Sequence, residues 1–251
     1  MKKMLAALLS LLLLLSALPF PALADVITID TETATCEEIT AACELLRAAR
    51  IARLKENFAQ THEVQPLDGI TFRGVPWGST RADAEAIVGP AVSSTPMITV
   101  RRSTVNSDGI GVRTIYKNWT IAGYPAYTAE FNYVYPVVDG EMLRDDNLAI
   151  LYLGEYQFWD LGDVSAVMED LTTKLSGLYG TYAITNGGRR TWTDTQGNSI
   201  ELSYAGSRVY LLYISAQAEA DLGAAKAVLA AERAEQEELL RIQNQNNTDG
   251  L

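Results

Sequence analysis

The spacing of apolar residues along this chain of 251 residues changes twice from a helical period to an alternating one. Apolar residues three and four positions apart predict helices, whereas strict alternation predicts strands with one buried face. The predicted helices are 35–60, 80–88, 164–178 and 216–243. The predicted strands are 97–103, 111–120, 127–135, 148–157, 190–194, 199–205 and 208–215.

This order of elements predicts an α+β fold, with helices packed on one face of an antiparallel sheet and long helices at both ends. A capped helix followed by strands occurs twice, over about residues 70–158 and 159–215, with Asn118-Trp119-Thr120 matching Thr191-Trp192-Thr193. We therefore expect a duplicated unit within residues 63–215. A tail and helix (25–62) precede this domain, and a helix with a polar tail (216–251) follows it.

The sequence contains residues that are typical of both ends of the short helix after Trp77. Thr80 and Asp83 have the spacing of a capping box, in which the two side chains satisfy the amides of the first turn. Gly89 is suited to the left-handed residue that ends a helix, and Pro90 blocks continuation. A helix of about two turns depends on packing for its stability, so we expect Trp77 to cover it. Trp119 and Trp192 are likewise interpreted as structural residues of the sheet.

The segment from Trp77 to Pro90 resembles the helix signature of the small envelope proteins of the SmpA/BamE type, G-x-[ST]-x-x-x-[VA]-x-x-x-[LV]-G-x-P, although here Pro90 follows Gly89 directly. The tandem arrangement resembles the secreted beta-lactamase inhibitor proteins, which repeat a similar helix-and-sheet unit. The resemblance implies an α+β fold and the binding of other proteins, without naming a target.

Residues 1–24 have the features of a secretory signal peptide, which predicts a periplasmic or extracellular protein. Lys2 and Lys3 precede an apolar run that is short for a membrane span, and Ala22-Leu23-Ala24 supplies a cleavage site. We expect no integral membrane span after cleavage. Without residues 1–24, 18 basic residues stand against 31 acidic ones, a net charge of −13 that disfavours nucleic acid as a partner.

Cys36 and Cys43 are the two cysteines of the chain, and an oxidising compartment favours a disulfide between them. Seven residues of continuous helix would separate their Cα atoms by roughly 10.5 Å, beyond the reach of a disulfide. Either the helix begins after Cys36 or the thiols stay apart, and both alternatives are open at this point.

No motif singles out catalytic residues, a cofactor or a metal site. The single histidine, His62, allows neither a supported triad nor a zinc site, and the carboxylates of 139–146 fit no known calcium loop. We therefore expect a non-enzymatic protein-binding module with no cofactor and an unidentified protein partner. The alternative is a secreted hydrolase whose paired carboxylates come together only in the fold.

Two rows of side chains are candidates for the binding surface. One row, Tyr127, Phe131, Tyr133 and Tyr135, falls on one side of its strand, and Arg208, Tyr210 and Leu212 alternate in the last strand. One row should line the core, and the charge of Arg208 favours the last strand as the partner contact. The alternative is that the C-terminal helix covers this row.

Overall fold

The structure, a computed structural model, describes residues 35–96, 109–185 and 187–248. The chain divides into two compact units, with the boundary between Gln60 and Thr61. The helices are α1 (Cys36–Thr61), α2 (Arg81–Val88), α3 (Val164–Tyr179) and α4 (Ala218–Thr248). The signal sequence 1–24, the adjoining tail and the predicted strand 97–103 lie outside the described residues.

Helix α1 begins with a reciprocal cap between two side chains and the backbone. The Glu38 amide donates to Thr35 Oγ1 at 3.2 Å, and the Thr35 amide donates to Glu38 Oε2 at 2.8 Å. Because Cys36 is already the first residue of this continuous helix, the chain does not fold back between Cys36 and Cys43. Both thiols are unpaired, so the disulfide alternative is wrong.

The second unit is built on one eight-stranded antiparallel sheet. Its strands are β1 (Ser93–Pro96), β2 (Gly111–Tyr116), β5 (Thr128–Val134), β8 (Ile150–Phe158), β9 (Ala183–Thr185), β10 (Arg189–Thr193), β11 (Ser199–Ala205) and β12 (Arg208–Ile214). Two small hairpins, β3 (Thr120–Ile121) with β4 (Tyr124–Pro125) and β6 (Val137–Val138) with β7 (Glu141–Met142), lie in the connections. The predicted α+β fold with helices at both ends is confirmed.

The spatial order β1-β2-β5-β8-β12-β11-β10-β9 joins two runs of four strands. Helix α2 precedes the first run and α3 precedes the second, and the two runs meet where β8 pairs with β12. The sequence pattern did not predict β1 or β9, which are short strands at the two edges of the sheet. This order is compatible with a duplicated unit, and the duplication itself stays a prediction.

The helices α2 and α3 begin and end at the residues that their sequences indicate. The Asp83 amide donates to Thr80 Oγ1 at 3.2 Å, and the Thr80 hydroxyl donates to Asp83 Oδ2 at 2.7 Å. Asp163 caps α3 by accepting a hydrogen bond from the Ala166 amide at 3.1 Å. Gly89 ends α2 with a φ of 87°, a value that a glycine adopts without strain.

Each of these helices ends at a glycine whose carbonyl accepts a hydrogen bond from an aromatic side chain. The Tyr116 hydroxyl donates to the Gly89 carbonyl at 3.0 Å, and Trp192 Nε1 donates to the Gly180 carbonyl at 3.2 Å. Tyr116 and Trp192 lie in the second strand of their respective runs. Trp119 lies in the connection between β2 and β3, whereas Trp192 lies in β10, so the two tryptophans do not occupy equivalent strand positions. In the first run it is Tyr116 that makes the kind of hydrogen bond made by Trp192 in the second.

The main core lies between the sheet and the helices α2 and α3. Trp77 is buried, its Nε1 donates to the Ile70 carbonyl at 2.5 Å, and it belongs to the same core cluster as Ala84 of α2. Phe72 lies over Gly154 of β8, where a Cβ would approach Phe72 Cγ to 2.1 Å. A glycine within a strand commonly marks such a close approach, and this one gives the Phe72 ring its place in the core.

Helix α4 packs against β5, β6, β7 and β8 through its N-terminal part. Its buried residues Ala218, Leu222 and Ala225 do not belong to the core beneath α2 and α3. From residue 226 to 245 no residue of α4 is buried, so the C-terminal part of the helix contributes little packing. All seven residues of β5 are buried, which shows that this central strand is covered on both faces.

No helix among the described residues is both long enough and apolar enough to cross a membrane.

Candidate functional site

The three residues of β12 that the sequence predicts to contact a partner, Arg208, Tyr210 and Leu212, differ in their exposure. Arg208 is exposed and Tyr210 is half-buried, whereas only 4% of Leu212 is accessible. Leu212 therefore cannot contact a partner in this structure, and the prediction that it lies on the binding surface is wrong. Leu212 projects from the face opposite the core residue Leu211, beside the buried Glu155 of β8, so this part of the opposite face is also covered.

Arg208 forms one end of a stack that we call the aromatic patch, defined as Tyr127, Trp159 and Arg208. The Arg208 guanidinium lies 4.1 Å from the Trp159 ring centroid. The rings of Trp159 and Tyr127 are parallel within 8°, with centroids 3.6 Å apart. Tyr127 keeps 52% of its surface exposed. The patch thus presents an aromatic ring and a cation to solvent in a pre-formed arrangement.

Strand pairing explains why these three residues meet. Val209 pairs with Phe158, so the next positions along the two strands, Arg208 and Trp159, fall side by side at the sheet end. The Tyr127 amide donates to the Gln157 carbonyl at 2.8 Å, which places Tyr127 at the same end. Tyr127 precedes β5 and does not join the core row of Phe131 and Tyr133, to which the alternation pattern assigned it. The main contacts of α4 go to β5, β6, β7 and β8, and β12 is not among them.

A second feature lies on the helix side of the sheet, around a tight turn at Arg73 and Gly74. The Val75 amide donates to the Phe72 carbonyl at 3.1 Å across this turn. Arg73 and Gly74 have φ values of 61° and 72°, the left-handed pair of a type I′ turn. Asparagine and glycine favour this conformation, and an arginine adopts it only when the surroundings hold it there. The Arg73 guanidinium lies 4.6 Å from the Trp119 ring centroid.

The turn borders a cleft of about 330 Å³. Tyr156, Tyr179 and Tyr213 form much of its wall, and Thr71 and Thr120 lie at its rim. Burial raises the pKa of Tyr156, of Tyr179 and of Tyr213, while the nearby Arg73 opposes the rise in the pKa of Tyr156 and of Tyr213. All three phenols therefore remain protonated at neutral pH and are available as uncharged hydrogen-bond donors.

The carboxylates do not gather at this cleft. Glu130 and Glu155 are cross-strand partners on β5 and β8, and both are buried. Glu130 accepts from Arg113 at 3.4 Å and from Gln157 at 3.3 Å. None of the residues that line the Arg73 cleft is acidic. Within the described ranges, no group of three or more His, Cys, Asp or Glu side chains is arranged to hold a metal ion.

The pattern of the sequence did not reveal Trp159, Arg73 or the three clustered tyrosines. Trp159 follows a predicted strand and belongs to no motif, so its contact with Arg208 depends on the pairing of β8 with β12. The one local signal at Arg73 is the Arg73-Gly74 pair between apolar residues, which is compatible with a tight turn. No local signal exists for the tyrosines, because they come from three separate elements, β8, α3 and β12.

The described part of the chain is thus an α+β protein with an eight-stranded antiparallel sheet, an exposed aromatic patch at one end of that sheet and a cleft on its helix side. Comparison of the chain with protein families, with curated proteins and with solved structures finds no match. The resemblance of the Trp77–Pro90 segment to envelope proteins stays a prediction.

Proposed function

We propose that the protein is an exported, non-enzymatic module that binds a protein partner through the aromatic patch. The supporting observation is the stack of Tyr127, Trp159 and Arg208, whose outer members face solvent. Tyrosine, tryptophan and arginine are the residues most enriched at the energetic centres of protein interfaces. Because the stack is already ordered, binding costs little additional side-chain entropy.

Tyr210 extends the patch along β12. It lies two residues from Arg208 and therefore on the same face of the strand, and it pairs with Gln157. A tyrosine of this kind offers an apolar ring and a polar hydroxyl to a partner. The proposed compartment, periplasmic or extracellular, depends on the predicted signal sequence at residues 1–24.

The test is affinity capture from the envelope and culture medium of the native host, with the wild-type protein and three variants. Tyr127→Ala and Arg208→Ala remove the two exposed members of the patch, and each should abolish capture of a specific partner. Tyr204→Ala is the matched control, because Tyr204 is 61% exposed but pairs with Val209 and points to the opposite face from Arg208. Capture that both patch variants retain in full would refute the proposal.

The hydrolase alternative has a separate test. It requires two carboxylates beside a cleft, and the lining of the Arg73 cleft contains none. Glu130→Gln is the informative change, since Glu130 and Glu155 are the buried carboxylates that face each other across neighbouring strands. A hydrolytic activity that Glu130→Gln abolishes would favour the hydrolase over the binding module.

A further inference from the structure

Arg73 differs from most arginines of the second unit because it has no carboxylate partner among the described residues. Arg81, Arg144 and Arg190 each form an ion pair with an acidic side chain. Arg73 contacts the Trp119 ring and lies near the Tyr156 hydroxyl. The protein has 31 acidic residues, yet Arg73 is exposed in a left-handed turn without an acidic partner among the described residues. The N–H edge of its guanidinium is therefore available to an external anion.

We propose that the Arg73 cleft binds the carboxylate of a small organic anion, with the guanidinium of Arg73 as its charged contact. The stack on Trp119 occupies one face of the guanidinium, while its N–H edge is the part that forms paired hydrogen bonds with a planar carboxylate. The proposal concerns a different surface from the aromatic patch and does not depend on the proposed function.

The charges around the cleft favour a singly charged ligand. Arg73 is the one charged residue in the lining, and the phenols of Tyr156, Tyr179 and Tyr213 are neutral donors. One positive charge balances a carboxylate, whereas the phosphate dianion would leave excess negative charge. Lys174, near the rim, is already engaged, because its Nζ donates to the Ala122 carbonyl at 2.8 Å and to Asp170 at 2.5 Å.

The accessible lining of the cleft is mainly polar, and aromatic rings of the core lie behind it. The rings of Tyr156 and Tyr213 are nearly perpendicular, with centroids 6.0 Å apart, and Phe72 packs against both. The hydroxyls of Tyr179 and Tyr213 form no hydrogen bond with another described residue, so a bound ligand can accept from them. A volume of about 330 Å³ is at the small end of ligand pockets, which points to a small organic acid.

The test is a titration of the purified protein with sodium benzoate, followed by nuclear magnetic resonance of backbone amides and tryptophan indoles. Benzamide is the neutral analogue of the same shape, and inorganic phosphate, titrated at about pH 8 where it is mainly the dianion, is the doubly charged competitor. We expect saturable shifts at Gly74 and Trp119 with benzoate, weaker binding of phosphate and none of benzamide. Binding of benzamide as tight as that of benzoate, or tighter binding of phosphate, would overturn the assignment.

Variants separate the site from a general effect of charge. Arg73→Gly keeps a residue that readily adopts positive φ, so the turn is preserved while the guanidinium is lost. It should weaken benzoate binding at least about tenfold, the loss expected for a hydrogen bond to a charged group. Tyr179→Phe, which removes one neutral donor, should weaken it by a smaller factor.

Arg241→Ala is the control for net charge, because Arg241 is an exposed arginine on α4 that pairs with Glu238. It should bind benzoate like the wild type. Unchanged binding by Arg73→Gly, or an equal loss in Arg241→Ala, would overturn the proposal. The absence of any benzoate-dependent shift in the wild-type protein would do the same.

Discussion

Replacing Gly154 by alanine should destabilise the second unit, although the change adds only one methyl group. A Cβ at this position would lie 2.1, 2.2 and 2.4 Å from three atoms of the Phe72 ring. The ring cannot withdraw easily, because it is fully buried and its centroid lies 4.6 Å from that of Phe131 and 4.8 Å from that of Tyr156. Overpacking of this kind costs about 1–3 kcal/mol.

Backbone entropy opposes this loss of stability. Alanine loses less backbone entropy on folding than glycine, which favours the variant by about 0.5–1 kcal/mol. The overlap with three ring atoms places the overpacking cost in the upper half of its range, about 2–3 kcal/mol, so the net expectation is a loss of about 1–2.5 kcal/mol in the free energy of unfolding. Urea unfolding followed by tryptophan fluorescence and by circular dichroism measures it, provided that both probes give the same transition.

Gly177→Ala is the matched control for this experiment. Gly177 lies in α3, is exposed, and would place its Cβ in open space. The same chemical change should therefore raise the stability by about 0.5–1 kcal/mol. Phe72→Leu combined with Gly154→Ala should cost less than the sum of the single changes, because a smaller side chain makes room for the methyl group. An unchanged urea midpoint in Gly154→Ala, or strict additivity in the double variant, would refute the reasoning.

Three further predictions concern the core, the tyrosines and the C-terminal helix. Trp77→Ala should cost about 3–5 kcal/mol, the range for deletion of a large buried aromatic side chain, and a thermal midpoint like that of the wild type would contradict the burial of Trp77. Burial raises the pKa of Tyr116 to about 12 and raises the pKa of Tyr133 further, so the folded state keeps protons that the unfolded chain releases above about pH 10. The contribution of these two tyrosines to the free energy of unfolding is therefore fully present below about pH 10 and is lost as the pH rises further. Tyrosinate absorbance should increase over the same pH range as unfolding and not at a lower pH. Deletion of residues 226–251 should lower stability by about 1 kcal/mol or less, because it removes a partly exposed ion pair and none of the described residues 226–245 is buried. Deletion of 216–251 also removes Leu222 and should produce a large loss in the same urea assay.

The sequence by itself determined the features that depend on neighbouring residues. The ends of α2 follow from Thr80, Asp83 and Gly89, because caps and left-handed stops are made by residues a few positions apart. The α+β class follows from the change of apolar period, which reports how each segment presents its buried face. The same logic failed for Tyr127, because alternation gives the side of a strand without showing where the strand begins.

Only the tertiary structure decided which distant residues meet. Leu212 is buried beside Glu155 of β8, and this position depends on the pairing of β12 with β8, a strand far from it in the sequence. The same pairing brings Arg208 to Trp159, and the packing of Phe72 on Gly154 places Arg73 beside the tyrosine-lined cleft. Such contacts depend on strand register and on the shape of the assembled core, and neither is encoded in the local spacing of apolar and polar residues.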